Sequence, residues 1–315
     1  MPVFNVEPYL DEAIASARAQ TFQDIEIVII DDGSTDGSLA IAERHAAVDP
    51  RVHVVSQANG GVAHARNVGL SLARAEWVAL LDGDDVALPE RLDRQMDYLA
   101  SHADVAVVGT WGWRIGTNGQ ELGVFDVGPR DAAHFRVLRE HNKAIYLLAS
   151  SVVMSPSVAV GVGGFREGLF GAEDIDLWTR IADAHVVGIL PERLIRYRVH
   201  ASSLSNTVFF RNQMVQMLVS ANAARRRSGR AEMTLAALQA ELAAQRMPVR
   251  ARRRLTWTSM YCYRMAGGLL ADRDPRGAAW LVASFLLWPP VPLKRLRRQI
   301  APWMRARLPG PLAGR

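Results

Sequence analysis

The sequence predicts an α/β fold with a mostly parallel sheet, followed by a helical, basic C-terminal extension. Apolar runs rich in β-branched residues recur along the first two-thirds of the 315-residue chain, as in strands covered on both faces. Amphipathic helical periodicities fall between these runs. Charge then divides the chain: residues 1–207 hold 17 basic and 28 acidic groups, net −11, whereas residues 208–315 hold 20 basic against 4 acidic groups, net +16. Two domains with those boundaries and with different partners follow.

Element by element, Glu7 to Ala19 is a helix with Pro8 in its first turn and Leu10, Ile14 and Ala17 on one face. Ile25 to Ile30 is a strand, and Ser34, Thr35 and Asp36 then offer caps for a helix over Leu39 to Ala47. Val52 to Val55 is the next strand, followed by a helix from Val62 to Ala73. Trp77 to Leu81 and Val105 to Val108 are strands flanking a helix over Pro89 to Ala100. Regular alternation ends near residue 110. Trp113 to Glu121 reads as a hairpin turning at Asn118-Gly119. A strand over Ser150 to Met154, a glycine-rich Gly161 to Gly164 and a helix from Asp174 to Ala182 complete this half, which suits the substrate side of a site. Trp111 and Trp113 read either as packing residues ahead of the hairpin or as a stacking face for a sugar.

The extension is helical and Arg-rich, with Arg225-Arg226-Arg227 and Arg252-Arg253-Arg254 expected on solvated faces. Ala278 to Leu287 is apolar except for Ser284; prolines at 289, 290 and 292 break it, and Lys294, Arg295, Arg297 and Arg298 follow. A stretch of this length is too short to span a bilayer, which takes ~20 residues. Flanked by Arg and Trp, it suits a helix lying in the interface of an anionic membrane. The single cysteine, Cys262, excludes a disulfide framework and a Cys-based zinc site. A reducing, cytoplasmic location, peripheral at the inner face of the cytoplasmic membrane, is expected.

The chemistry concentrates at two strand ends. Strand 25–30 runs into Asp31-Asp32-Gly33-Ser34-Thr35-Asp36, and strand 77–81 into Asp82-Gly83-Asp84-Asp85. In an open α/β sheet both face the crevice beyond the carboxyl ends of the strands. Clustered carboxylates repel one another, so three in one short loop suit a hard divalent cation, Mn2+ or Mg2+, on oxygen ligands. Asp31 and Asp32 suit acceptors for a base N–H or a ribose hydroxyl. Asp82 and Asp84 suit the ribose and the metal, which would neutralise a diphosphate leaving group. Arg66, on the helix after Gly60-Gly61, reads either as a phosphate ligand or as a solvated helix residue.

These motifs bring a resemblance with them. Pro2-Val3-Phe4-Asn5, Ala19 to Phe22, Asp31 to Asp36, Asn59-Gly60-Gly61, Ala65-Arg66-Asn67, Asp82 to Asp85, Gly163-Gly164-Phe165 and Glu173 to Trp178 resemble, in order and spacing, the inverting glycosyltransferases of family 2. The resemblance covers roughly residues 1–205 and implies the nucleotide-binding GT-A fold. It implies a donor site holding a nucleotide-diphospho-sugar through Pro2, Phe4, Asn5, Asp31, Asp32, Asn59, Arg66, Asp82 and Gly83. It further implies a metal on Asp82 and Asp84, with Asp85 and His200 beside it, and Asp174 as general base next to Glu173. An inverting displacement needs one carboxylate on the acceptor side to take the hydroxyl proton. The implied acceptor is a glycan or lipid-linked sugar in cell-envelope polysaccharide synthesis. Asp176 is expected to point elsewhere, because i and i+2 diverge on a helix.

Two further readings use the same residues. A sugar nucleotidyltransferase would also use carboxylates and metal, but would carry an early Gly-rich basic loop, where this chain has Pro2-Val3-Phe4-Asn5. A truncated, inactive nucleotide-binding relative is the other. Nucleic acid is not an expected partner: the tail supplies arginine but no recognition fold, and the acidic body opposes it. Relatives carry an apolar strand just before the Pro-x-x-Asn loop, whereas here Met1 falls inside that loop. The expectation is a natural start upstream, with Pro2 to Asn5 poorly held in this chain.

Overall fold

The computed structural model describes residues 1–169, 171–200, 208–271 and 274–296. These residues form two compact units, Met1–Val199 with Arg211–Leu235, and His200–Phe210 with Ala236–Arg315.

The first unit opens with a short strand β1 (Pro2–Val3), helix α1 (Glu7–Arg18), β2 (Ile27–Asp31), α2 (Ser38–Val48), β3 (Val52–Ser56) and α3 (Val62–Leu72). β1, β2 and β3 form a parallel sheet in that order, with Ile27 opposite Val52 and Asp31 opposite Ser56. Leu10, Ile14, Ile29, Ile41 and Val52 make its core with Val3. The apolar, β-branched run therefore becomes a strand because both its faces are covered.

Pro2 and Val3 are not poorly held. Val3 is buried. The Met1 carbonyl accepts from Ile30 N at 2.8 Å and the Val3 carbonyl from Asp32 N at 2.8 Å. Asn5 N donates to Ser34 Oγ at 3.1 Å, and Asn5 Oδ1 accepts from Thr35 N at 2.8 Å. A parallel ladder and the polar groups of the next loop supply what the expectation left out.

The chain then enters β4 (Val78–Ala79), β5 (Val86–Ala87), α4 (Arg91–Ser101), β6 (Val105–Ile115), β7 (Glu121–Phe125), α5 (Ala132–Glu140), β8 (Val153–Met154), α6 (Pro156–Gly161), α7 (Glu173–Ile181) and β9 (Val186–Arg198). The sheet order is β4-β8-β6-β9-β5, with β7 on β6. Among the described residues of this sheet β6 and β9 run parallel, and the other pairs are antiparallel. The parallel character that the alternation predicts thus holds for β1-β2-β3 and for β6-β9. The expected hairpin is present, β6 to β7, turning through Gly119 at φ 76°. The fourth expected strand runs on to Ile115, far past Val108. Phe165, Leu177, Trp178 and Ile181 fill the core behind this sheet, with Phe165 edge-on to Trp178.

The two sheets are not continuous. A slot of about 330 Å3 lies between β2 and β4, lined by Ile27, Val28 and Ile30 on one side and Val78, Leu80 and Leu81 on the other.

Helix α8 (Phe209–Arg227) belongs mostly to the first unit. Its Val215 and Val219 pack on Ala144, Ala172 and Ile175. Arg226 and Arg227 pair with Asp183, and Arg225 Nε donates to the Ala231 carbonyl at 2.5 Å. These arginines are therefore structural rather than a solvated face, and the compact division does not fall at 207/208. The second unit carries α9 (Leu235–Ala244), α10 (Met247–Ala271) and α11 (Arg276–Leu287). Ser284, the polar interruption of the apolar run, is buried where α10 and α11 meet: Ser259 Oγ donates to the Ser284 carbonyl at 2.8 Å and Ser284 Oγ to the Ser259 carbonyl at 2.9 Å. Among the described residues no helix is long and apolar enough to cross a membrane. Arg297 and Arg298 lie outside the described residues.

Candidate active site

Three chain segments meet through one side chain. Arg66 sits on α3, just after Gly61, whose φ of 88° lets the loop turn into the helix. Its guanidinium is buried. Nη2 donates to Asp82 Oδ1 at 2.8 Å and Nη1 to Glu173 Oε1 at 2.8 Å. The ring of Phe165 lies 5.5 Å from the guanidinium carbon. Arg66 is thus neither a solvated helix residue nor spread toward solvent as a phosphate ligand; it joins the loop after β4 to the start of α7. Its neighbour Asn67 staples α3 to the glycine-rich loop, with Oδ1 accepting from Phe165 N and Nδ2 donating to the Phe165 carbonyl, both at 2.8 Å.

At the start of α7, Glu173 spends its second oxygen, Oε2, on Gly171 N at 2.8 Å. Asp174 accepts from Ile175 N at 2.7 Å. Desolvation, reinforced by the adjacent Glu173 carboxylate, pushes the Asp174 carboxyl up to about 7, against the opposing pull of Arg66. Asp82 adds to the same repulsion, so the two acidic clusters sense one another. Tyr146 stands near this carboxylate: burial and then the Asp174 charge raise its phenol to about 12, and its hydroxyl donates to Gln216 Oε1 at 2.9 Å. Asp176 turns away, buried against Arg180 at 2.7 Å and Arg166 at 3.5 Å.

The four residues of the second acidic loop separate into different jobs. Asp82 keeps 29% of its side chain exposed, and only its Oδ1 faces Arg66. Gly83 is buried where a Cβ would stand 3.0 Å from the Val6 side chain and 3.3 Å from that of Leu10, so a larger residue here would push those side chains back. Asp84 is half-buried. Asp85, by contrast, is turned fully inward. Its Oδ2 accepts from Ser150 Oγ at 2.5 Å and its Oδ1 from Arg198 N at 2.8 Å. Burial, then repulsion from Asp84 and Asp82, raises its carboxyl well above the usual range. Asp85 is therefore a correction to the expected metal set: with both oxygens facing protein it braces the loop. Arg198 completes the brace, its Nε donating to the Asp84 carbonyl at 2.9 Å, Nη1 to the Gly116 and Thr117 carbonyls, and Nη2 to Glu12 Oε2 at 2.5 Å.

Asp31 and Asp32 are also buried and engaged by their own chain, not held open to a nucleoside. Asp32 Oδ1 accepts from Gln57 Nε2 at 2.7 Å and Gly60 N at 2.9 Å, and Oδ2 from Gly61 N at 2.8 Å. Asp31 Oδ2 accepts from Ser56 Oγ at 3.1 Å. Gly33, at φ 78°, leaves no room for a side chain, since a Cβ would meet Asn59 N at 2.9 Å. These carboxylates fix the loop that carries Asn59, which is exposed, and Phe4 is 47% exposed. His200 is buried and falls in the second compact unit.

The donor set can be tested for a cation. Among the described residues no three acidic, His or Cys side chains gather into a cage. Asp84 and the outer oxygen of Asp82 fit a hard cation that takes one or two carboxylates and completes its shell from phosphate oxygens and water.

Parallel β-α-β order, acidic strand ends and a carboxylate pair opening a helix define a nucleotide-binding fold of the GT-A type. Solved structures of that type share it: Staphylococcus aureus TarS 1–349 in complex with UDP-GlcNAc aligns with a TM-score of 0.53 at 17% identity, over 95% of this chain and 90% of that one. The Pyrobaculum calidifontis mannosyltransferase PcManGT, in complex with GDP-Man and Mn2+, aligns with a TM-score of 0.50 at 21% identity, over 91% of this chain and 86% of that one. The family model "Glycosyl transferase family 2" matches residues 1–144. The putative glycosyltransferase EpsE of Bacillus subtilis is 31% identical over 218 residues, 66% of this chain and 75% of that protein. The chain belongs to glycosyl transferase family 2. It spans 25%, 19% and 65% of the lengths of three further curated relatives.

Proposed function

We propose that this protein transfers a sugar from a nucleotide-diphospho-sugar to a glycan or lipid-linked acceptor, with inversion. One observation carries the reading: Arg66 holds Asp82, of the donor loop, and Glu173, beside Asp174, on two nitrogens of one guanidinium. A donor held at Asp82 therefore lies within reach of a carboxylate tuned to about 7. A base near neutrality both exists in the ionised form and holds an incoming proton well. Asp174 takes the acceptor hydroxyl proton as the oxygen attacks the anomeric carbon, and the nucleoside diphosphate leaves from the opposite face. Glu173, fixed by Arg66 and Gly171, keeps the start of α7 in place. Asp84 with Asp82 would hold Mn2+ or Mg2+; the cation's contribution is to offset charge on the departing diphosphate. Asn59, on a loop kept rigid by Asp32, lines the approach of the nucleoside together with Phe4 and Asn5, whose own loop is tied to Thr35.

The second unit supports association with an anionic membrane surface, where a lipid-linked acceptor would reside. α11 exposes Val282 (57%) and Leu286 (80%), four residues apart on one helical face.

Asp174→Asn tests the reading. It should abolish sugar transfer, followed as nucleoside diphosphate release, while calorimetric donor affinity stays within about threefold of wild type, since the base contributes in the transition state rather than to donor binding. Equal loss of affinity would remove Asp174 from the acceptor side.

A further inference from the structure

We infer that a groove in the second unit seats the phosphate headgroup of an anionic phospholipid, a specific contact that rests on the membrane association proposed above. The groove, about 720 Å3, follows one stripe of α10: Met247, Arg250, Arg254 and Trp257 recur at intervals of three and four residues, with Arg253 and Phe210 also lining it. Its walls are exposed, Met247 by 81%.

Charge selects the occupant. The described residues of this unit include nine Arg and Lys but only two acids, Glu241 and Asp274, and Asp274 is paired with Arg276. Among the described residues, Arg250 and Arg254 form no ion pair. Two cations four residues apart on a helix repel one another, so an anion between them relieves a strain that the chain itself leaves in place. Guanidinium groups suit a phosphate bidentately. Arg253 is anchored, donating to Gln245 Oε1 at 2.5 Å and the Leu242 carbonyl at 3.2 Å, and its guanidinium carbon lies 5.7 Å from the Trp257 ring. That leaves Arg250 and Arg254 to reach the ligand.

The apolar half of the groove narrows the choice. A hydrated inorganic ion gains nothing from Met247, Phe210 and Trp257. A phospholipid presents a phosphate to the arginines and covers the apolar residues with its glycerol and upper acyl carbons, the partition that Trp favours at an interface.

Sedimentation of the full chain with vesicles tests this. Wild type should pellet with phosphatidylcholine vesicles containing phosphatidylglycerol and stay in the supernatant with phosphatidylcholine alone. The pair R250E and R254E should weaken that binding roughly tenfold or more, with R250Q and R254Q intermediate. Nucleoside diphosphate release to a water-soluble acceptor should not change. Millimolar inorganic phosphate should not displace the protein. If the glutamate variant pellets like wild type, the groove is not the site and the membrane reading survives. If wild type ignores both vesicles, the two fall together. Displacement by inorganic phosphate, or by single-stranded DNA at equal charge, would overturn the lipid in favour of those anions.

Discussion

Asp174 is placed where ionisation is costly, and that cost is measurable. Its folded-state carboxyl is raised from 3.8 to about 7. The folded state therefore binds the proton more tightly than the unfolded state, and this group favours folding fully below pH 4. That contribution is lost as pH rises through about 7. Asp174→Asn should leave the melting temperature nearly unchanged at pH 4 and raise it increasingly up to pH 8, by several degrees, in the same variant that has lost turnover. In wild type, kcat/KM should climb with pH through about 7. A flat profile from pH 5 to 8 would mean that another group takes the proton.

Asp84 and Asp85 give a sharper contrast, because neighbours in sequence have opposite surroundings. Asp85→Asn keeps the shape of a buried group that burial already drives toward neutrality. It should retain metal-dependent turnover within about tenfold, whereas Asp84→Asn should lose it; loss in both would restore Asp85 to the metal. That the loop is more acidic than folding needs was legible in the sequence, since nothing in folding asks for three carboxylates in four residues. Which of them faces inward was not, because the answer depends on Ser150 and on the backbone of Arg198, far along the chain. Asp32 follows the same pattern: its position was legible, its bonds to Gln57, Gly60 and Gly61 were not.

Among the elements, α3 does most to assemble the site. Its apolar face was readable from periodicity, yet Arg66 and Asn67 project to partners more than a hundred and nearly a hundred residues away, and no local pattern encodes that. Arg66→Met leaves two carboxylates without their cation, Glu173 being buried, so it should cost about 3–5 kcal/mol, read as a denaturant midpoint shift. Arg66→Lys keeps the charge but cannot span both partners in a fork. It should fold better than Arg66→Met and still lose turnover, with KM for the donor changing less than kcat. Strands β6 and β9 mark the other limit of legibility. Regular alternation ends near residue 110, and no local pattern foretells that β6 and β9 then run parallel along their length while β8 and β5 join them antiparallel.

Across the whole molecule, the charge asymmetry in the sequence sets a basic helical segment apart at 207/208, whereas the compact units part at 199/200, 210/211 and 235/236. Composition reports where arginines are, not what they touch; Arg226 and Arg227 meet Asp183 instead of solvent or lipid. The same scale holds the slot between β2 and β4.

That slot opens to solvent, and Asp24, Glu26 and Glu76 stand among its apolar walls. Apolar surface is therefore within reach of small molecules while the chain is folded. A dye that brightens on leaving water should bind the native protein there, and native protein that leaves the dye dark would show the slot closed.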